Sequence, residues 1–157
     1  MPRGTNNMTK QRLYEAGWSW NQNTERVIRR LCIGETLNFP CGMSKIGNVR
    51  ADIVKEVNPD VVADLRRPFE HFKKHQFDTV LCDPPFSFYG RFAWIGPIAD
   101  LCRRRLILCT PLVDVKLSRK YWRKRYFITE EGRIMLRVWQ VFDKNELCFT
   151  ESGVSSL

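Results

Sequence analysis

Phe77-Asp78-Thr79-Val80-Leu81-Cys82-Asp83-Pro84-Pro85-Phe86 is the stretch on which the fold turns. Its first six residues pass from a polar start into a short apolar run, the pattern of a parallel strand buried on both faces. Two consecutive prolines then remove the backbone donors that a ladder needs and stop the strand at Cys82. An acid, a rigid turn and an aromatic ring are thereby brought to the carboxyl end of a strand, the edge at which open α/β sheets bind ligands.

Upstream, Glu35–Pro40 reads as a strand that runs into Cys41-Gly42-Met43-Ser44-Lys45-Ile46-Gly47, a loop whose glycines permit tight turns and close backbone approach. Asn48–Ile53 reads as a second strand ending near Asp52. After a turn at Asn58-Pro59, Asp60–Asp64 reads as a third, again ending in an acid. A rival register makes 47–57 a helix and Asp60–Asp64 the second strand, because the stretch between Gly42 and Asp52 is short for a full crossover helix. The compact register is the preferred one. Pro68–His75 reads as a helix. Downstream, the loop from Ser87 to Gly96 is rich in aromatics, Pro97 opens a helix to about Arg104, and Arg105–Thr110 is a further strand stopped by Pro111. Tyr126–Thr129 and Arg133–Phe142 flank Glu130-Glu131-Gly132 as a hairpin. Ahead of the first strand, residues 9–33 carry apolar positions at helical spacing, interrupted near Gly17 to Asn23. Two short helices are predicted there, the second opened by Thr24 with Glu25 in its first turn.

A chain of 157 residues is long enough for one domain with a real core and too short for two. With 43% hydrophobic residues it is neither disordered nor fibrous. No apolar stretch approaches the roughly 18 residues of a membrane span, and Met1 to Lys10 lacks the apolar centre of a signal peptide, so a cytoplasmic protein without membrane contact is expected. Six cysteines form no C-x-x-C pair, which argues against a zinc site and for small apolar roles. His71 and His75, four apart, read as a solvated helix face. Net charge is +9. Cations gather at Arg26, Arg29 and Arg30, at Arg103 to Arg105, and along Lys116 to Arg125, where they interleave with Tyr121 and Trp122. Cations neutralise phosphates and aromatics stack on bases, so a nucleic-acid partner, DNA or RNA, is expected. The order of elements divides the chain into an N-terminal helical extension (1–34), a sheet domain (35–143) and a tail (144–157).

Asp83-Pro84-Pro85-Phe86 resembles the (Asp/Asn/Ser)-Pro-Pro-(Tyr/Phe/Trp) motif of amino-group nucleic-acid methyltransferases. The strand order, over about residues 35–143, resembles their class I fold. The resemblance implies a single-domain α/β architecture: a seven-stranded, mostly parallel Rossmann-like sheet with an antiparallel C-terminal hairpin strand. It implies S-adenosylmethionine as cofactor, held by the loop at Pro40, Cys41 and Gly42, by Asp52 on the ribose, and by Asp64 with Leu65 at the adenine; in the rival register Asp64 takes the ribose instead. Ser44 stands where the family usually has a second glycine. The resemblance also implies that Asp83 and the Pro84 carbonyl, fixed by Pro85, accept the two N–H bonds of an exocyclic amine while Phe86 stacks on the base. Phe88, Tyr89, Lys120 and Arg123 are the expected substrate contacts. Asp as the first motif residue favours adenine N6, with DNA slightly ahead of RNA. A guanine-N2 RNA enzyme, or a catalytically inactive binding subunit of the same fold, are the alternatives.

Overall fold

The computed structural model describes residues 19–85, 88, 92–119, 122–131 and 135–145. Seven strands form one sheet: β1 (Thr36–Asn38), β2 (Val49–Asp52), β3 (Val61–Val62), β4 (Phe77–Cys82), β5 (Cys102–Thr110), β6 (Trp122–Glu131) and β7 (Met135–Lys144). Their order is β3-β2-β1-β4-β5-β7-β6. The first five pair in parallel, and β7 runs antiparallel to both β5 and β6. This is the mixed, mostly parallel sheet that the sequence implied. β4 lies at its centre, with Val80 opposite Leu37 of β1 on one side and Leu106 of β5 on the other.

The compact register is the one observed. β2 follows the glycine loop directly, and only a 3-10 turn at Lys55–Val57 separates it from β3. The loop stays in step with β2 because Cys41 N–H donates to Ala51 O at 2.8 Å.

Among the described residues two helices cover the sheet, one on each face. α1 (Gln22–Leu31) is capped by Asn21, whose side chain accepts from Thr24 N–H at 2.9 Å. Thr24 is therefore the third helical residue and buried, not the cap, because the better acceptor lies three positions earlier. α1 turns Ile28 and Leu31 onto Leu81, Ile107, Trp139 and Val141. Trp139 is fully buried there, stacked on Phe127 at 5.8 Å and edge-on to Trp20 at 5.5 Å. On the opposite face α2 (Ile95–Asp100) joins Leu37, Phe39, Phe72, Phe77, Leu106 and Phe142 in the larger core.

Two predicted helices are shorter than expected. Pro68–His75 keeps one 3-10 turn, Pro68–Glu70. Gln76 Oε1 takes Lys73 N–H at 2.8 Å, the donor that a continuing helix would need, and His75 adopts φ +55°. His71 and His75 therefore share no helical face. The helix expected from Pro97 to Arg104 spans Ile95–Asp100 instead, because Cys102 pairs with Phe77 and draws Arg103 and Arg104 into β5. The hairpin is longer than expected and takes in Trp122 to Arg125, the end of the basic segment. Among the described residues no helix is long and apolar enough to cross a membrane. The helix expected near residues 9–17 lies outside the described residues.

Trp139→Ala should lower unfolding free energy by about 3–5 kcal/mol in denaturant titration, the cost of deleting a large buried aromatic. Leu112→Ala, at a position 90% exposed, should stay within about 0.5 kcal/mol of the parent.

Candidate active site

The carboxyl ends of β1, β2, β3 and β4 lie along one edge of the sheet, so Gly42, Asp52, Asp64 and Asp83 follow four adjacent strands. Beyond Cys82 the prolines turn the chain. Phe88 N–H donates to Pro85 O at 2.9 Å, which leaves the Pro84 carbonyl outside that turn bond. Phe88 is half-buried and packs edge-on against Trp94 at 6.1 Å, while Trp94 Nε1 donates to Phe88 O at 3.1 Å. Phe86, Tyr89 and Lys120 lie outside the described residues.

Asp83 is held from two directions. Arg137 Nη1 of β7 donates to Oδ1 at 2.9 Å and to Oδ2 at 2.7 Å. Trp20 Nε1, from the segment just ahead of α1, donates to Oδ2 at 2.8 Å. The Arg137 and Asp83 side chains are only 8% and 13% exposed. Neither partner was singled out from the sequence. The signal for Arg137 is a cation that alternates with Trp139 and Val141 on one inward face of a strand. For Trp20 it is an apolar anchor placed directly before a helix cap.

In the loop after β1, Gly42 adopts φ +49°, a left-handed conformation that residues other than Gly, Asn and Asp rarely take. Its N–H donates to Asp52 Oδ2 at 2.9 Å, and Val54 N–H donates to Asp52 Oδ1 at 3.0 Å. Asp52 is 3% exposed, so its carboxylate sets the shape of the loop from behind. Ser44 is buried and its hydroxyl accepts from Ile46 N–H at 3.2 Å. Asp64 is more open. Arg66 grips it with Nε at 3.0 Å and Nη2 at 2.6 Å, and holds its carboxyl below the ordinary carboxylate range. Pro40 leads into the loop, the Cys41 thiol is pushed up to about 11, first by burial and then by Asp52, and Leu65 belongs to the core. The structure thus gathers Gly42, Asp52, Asp64 and Asp83 at one edge. It does not bring Arg123 there. Arg123 pairs with Asp143, which also faces Arg105, near the start of β5 and the far edge of the sheet.

The Gly42 backbone, free of Cβ, permits close approach, and the partly exposed Asp64 carboxylate offers acceptors. Among the described residues no cluster of side chains could hold a metal ion.

No family model and no curated protein sequence matches the chain. Solved structures do share its shape. The "putative methyltransferase yhhF" from Escherichia coli superposes with a TM-score of 0.50 at 13% identity, over 80% of this chain and 88% of that one. The "putative methylase HI0767" from Haemophilus influenzae does so with a TM-score of 0.47 at 15% identity, over 80% and 90%. The first places the chain in the methyltransferase fold.

Asp52→Ala should strand two partly buried backbone donors, together costing about 1–3 kcal/mol. A clear fall in thermal midpoint is expected, where Asp64→Ala, which loses a solvent-screened pair and an exposed bond from Arg66 N–H, should change stability by less than about 1 kcal/mol. Burial also raises the thiols of Cys82, Cys102 (to about 12) and Cys109, so little thiolate exists at pH 8. Iodoacetamide labelling of the native protein read by mass spectrometry should spare all three and reach them only after denaturation.

Proposed function

We propose that the protein transfers a methyl group from S-adenosylmethionine to an exocyclic amine of a nucleic-acid base, most simply adenine N6. The observation that carries this reading is an acid held rigidly at the carboxyl end of the central strand, followed by a turn that leaves the Pro84 carbonyl outside its own hydrogen bonding. The shared fold with the Escherichia coli protein described as a "putative methyltransferase" supports the same class of chemistry.

When bound, S-adenosylmethionine supplies an electrophilic methyl group on a sulfonium. The residues that would hold it are the Gly42 loop and Asp64, with Asp52 buried behind the loop as its brace. Asp64 is the carboxylate on this flank that a ribose or an adenine amino group can reach. An exocyclic amine is a poor nucleophile because its lone pair is delocalised into the ring. Asp83 and the Pro84 carbonyl would each accept one of its N–H bonds, turning the lone pair out of the ring plane and stabilising the charge that develops on nitrogen. Phe86 follows in sequence where a ring could stack on the base. The net charge of +9 fits a polyanionic substrate. DNA is the first choice, with guanine N2 of RNA as the second. A binding subunit without catalysis is a distinct reading, favoured by one observation: Asp83 is already engaged by Arg137 and Trp20.

Labelled methyl transfer to mixed DNA and to total RNA, with products resolved by base, tests the proposal. N6-methyladenine should appear with the parent protein and fall about 100-fold or more in Asp83→Ala, the scale of losing a preorganised acceptor. Cofactor affinity, measured by calorimetry, should stay within about threefold because Asp83 binds the amine and not the nucleoside. No label on either nucleic acid and no cofactor binding would overturn the reading in favour of the binding subunit, and cofactor binding without label would overturn it in favour of another substrate.

A further inference from the structure

Trp20 and Arg137 come from opposite ends of the described chain and meet on one carboxylate. We propose that they are positioning residues that fix the orientation of the Asp83 carboxylate so that it accepts a single N–H of the substrate amine. This rests on the reading of Asp83 given above. A carboxylate offers about four acceptor sites. Oδ2 receives both Trp20 Nε1 and Arg137 Nη1, Oδ1 receives Arg137 Nη1, and the Cys109 thiol also hydrogen-bonds the carboxylate. Three side chains from three elements therefore set its plane.

The two donors are themselves anchored, which makes them suited to the task. Trp20 is 7% exposed and sits edge-on to Trp139, whose Nε1 donates to Thr129 Oγ1 at 2.9 Å. Asn21, the next residue, caps α1 with one side-chain atom and donates with the other to Glu130 O of β6 at 2.5 Å. Arg137 lies in β7 opposite Thr129 of β6, and its Nη1 also approaches Cys109 Sγ at 3.5 Å. The acid is consequently braced by α1's leading segment and by the hairpin as well as by its own strand. With the Asp83 carboxylate fixed in orientation and the Pro84 carbonyl following it, the amine meets one fixed pair of acceptors, and its lone pair has one direction in which to point. The segment before α1, which lies outside the sheet domain, thereby becomes part of how the site works.

Trp20→Phe is the mildest probe, because it keeps an aromatic ring against Trp139 while it removes the N–H together with the five-membered ring. The expected result is a fall in kcat of about 10- to 100-fold with KM for the nucleic acid and cofactor affinity little changed, the signature of a misplaced group rather than lost binding. Arg137→Gln should lose more, and Arg137→Lys should recover part of it, since a point charge can restore the ion pair but not the planar geometry. If Arg137→Gln fails to fold, Trp20→Phe decides alone. A parent protein that transfers methyl, with Trp20→Phe and Arg137→Lys equal to it in kcat, would overturn the proposal. A readout independent of activity separates this from failure of the underlying reading. The Trp20 indole N–H resonance in ¹⁵N-labelled protein, identified by its loss in Trp20→Phe, should move upfield in Asp83→Ala. An indole resonance that stays in place would overturn the positioning role whether or not methyl is transferred. A shifted resonance in a protein that transfers nothing would keep the brace and remove the methyltransferase reading.

Discussion

Strand β4 is paired on both sides, to β1 and to β5, and the two prolines that follow it end that pairing at Cys82. A doubly paired central strand has no freedom to slide, because a shift of one residue would turn Phe77, Val80 and Cys82 out of one core and Leu81 out of the other. The point at which it stops is therefore as well determined as any in the molecule. Asp83 inherits that precision. The loops after β1, β2 and β3 are referred to the same edge because each of those strands is hydrogen-bonded, directly or in turn, to β4.

The Asp83–Arg137 pair is the most heavily desolvated ion pair described on the sheet's carboxyl edge. Burying two charges costs several kcal/mol each, and their attraction offsets this only with good geometry and further hydrogen bonds. Such a pair is weak evidence for stability by itself. It is better evidence for a specified arrangement: Arg137 ties the C-terminal hairpin to the end of β4, and Trp20 ties the leading segment of α1 to the same atom pair. A simple apolar contact between these three elements would hold them together without orienting a carboxylate.

Asp52 is a buried carboxylate that shapes the loops on either side of β2. Both of its oxygens accept backbone N–H groups from the loops on either side, Gly42 before β2 and Val54 after it. The short connection between β1 and β2 has no crossover helix to stiffen it. A buried carboxylate performs that service instead, and Ser44 adds a hydroxyl acceptor for Ile46 N–H. Asp64, held in place by Arg66, is left as the reachable acid.

Local chemistry determined a large part of this protein. The apolar run into a double proline specifies β4 and its stop, alternating and apolar runs specify the other strands, and the acids at strand ends follow from them. These are short-range properties, legible because strand burial and proline sterics act on the residues that carry them. Element ends were less legible. Thr24 is a good cap by composition but Asn21 has the oxygen in reach, and Lys73 N–H belongs to Gln76 and not to a helix, because both choices depend on small competitions between hydrogen bonds. What only the tertiary structure decided is the company that Asp83 keeps. Trp20 and Arg137 lie 63 positions before it and 54 after it. Arg123, which its basic neighbourhood suggested for the substrate, falls at the opposite edge because β6 runs parallel to β5 and begins where β5 begins. Strand order and direction convert sequence separation into distance, and no local pattern encodes them.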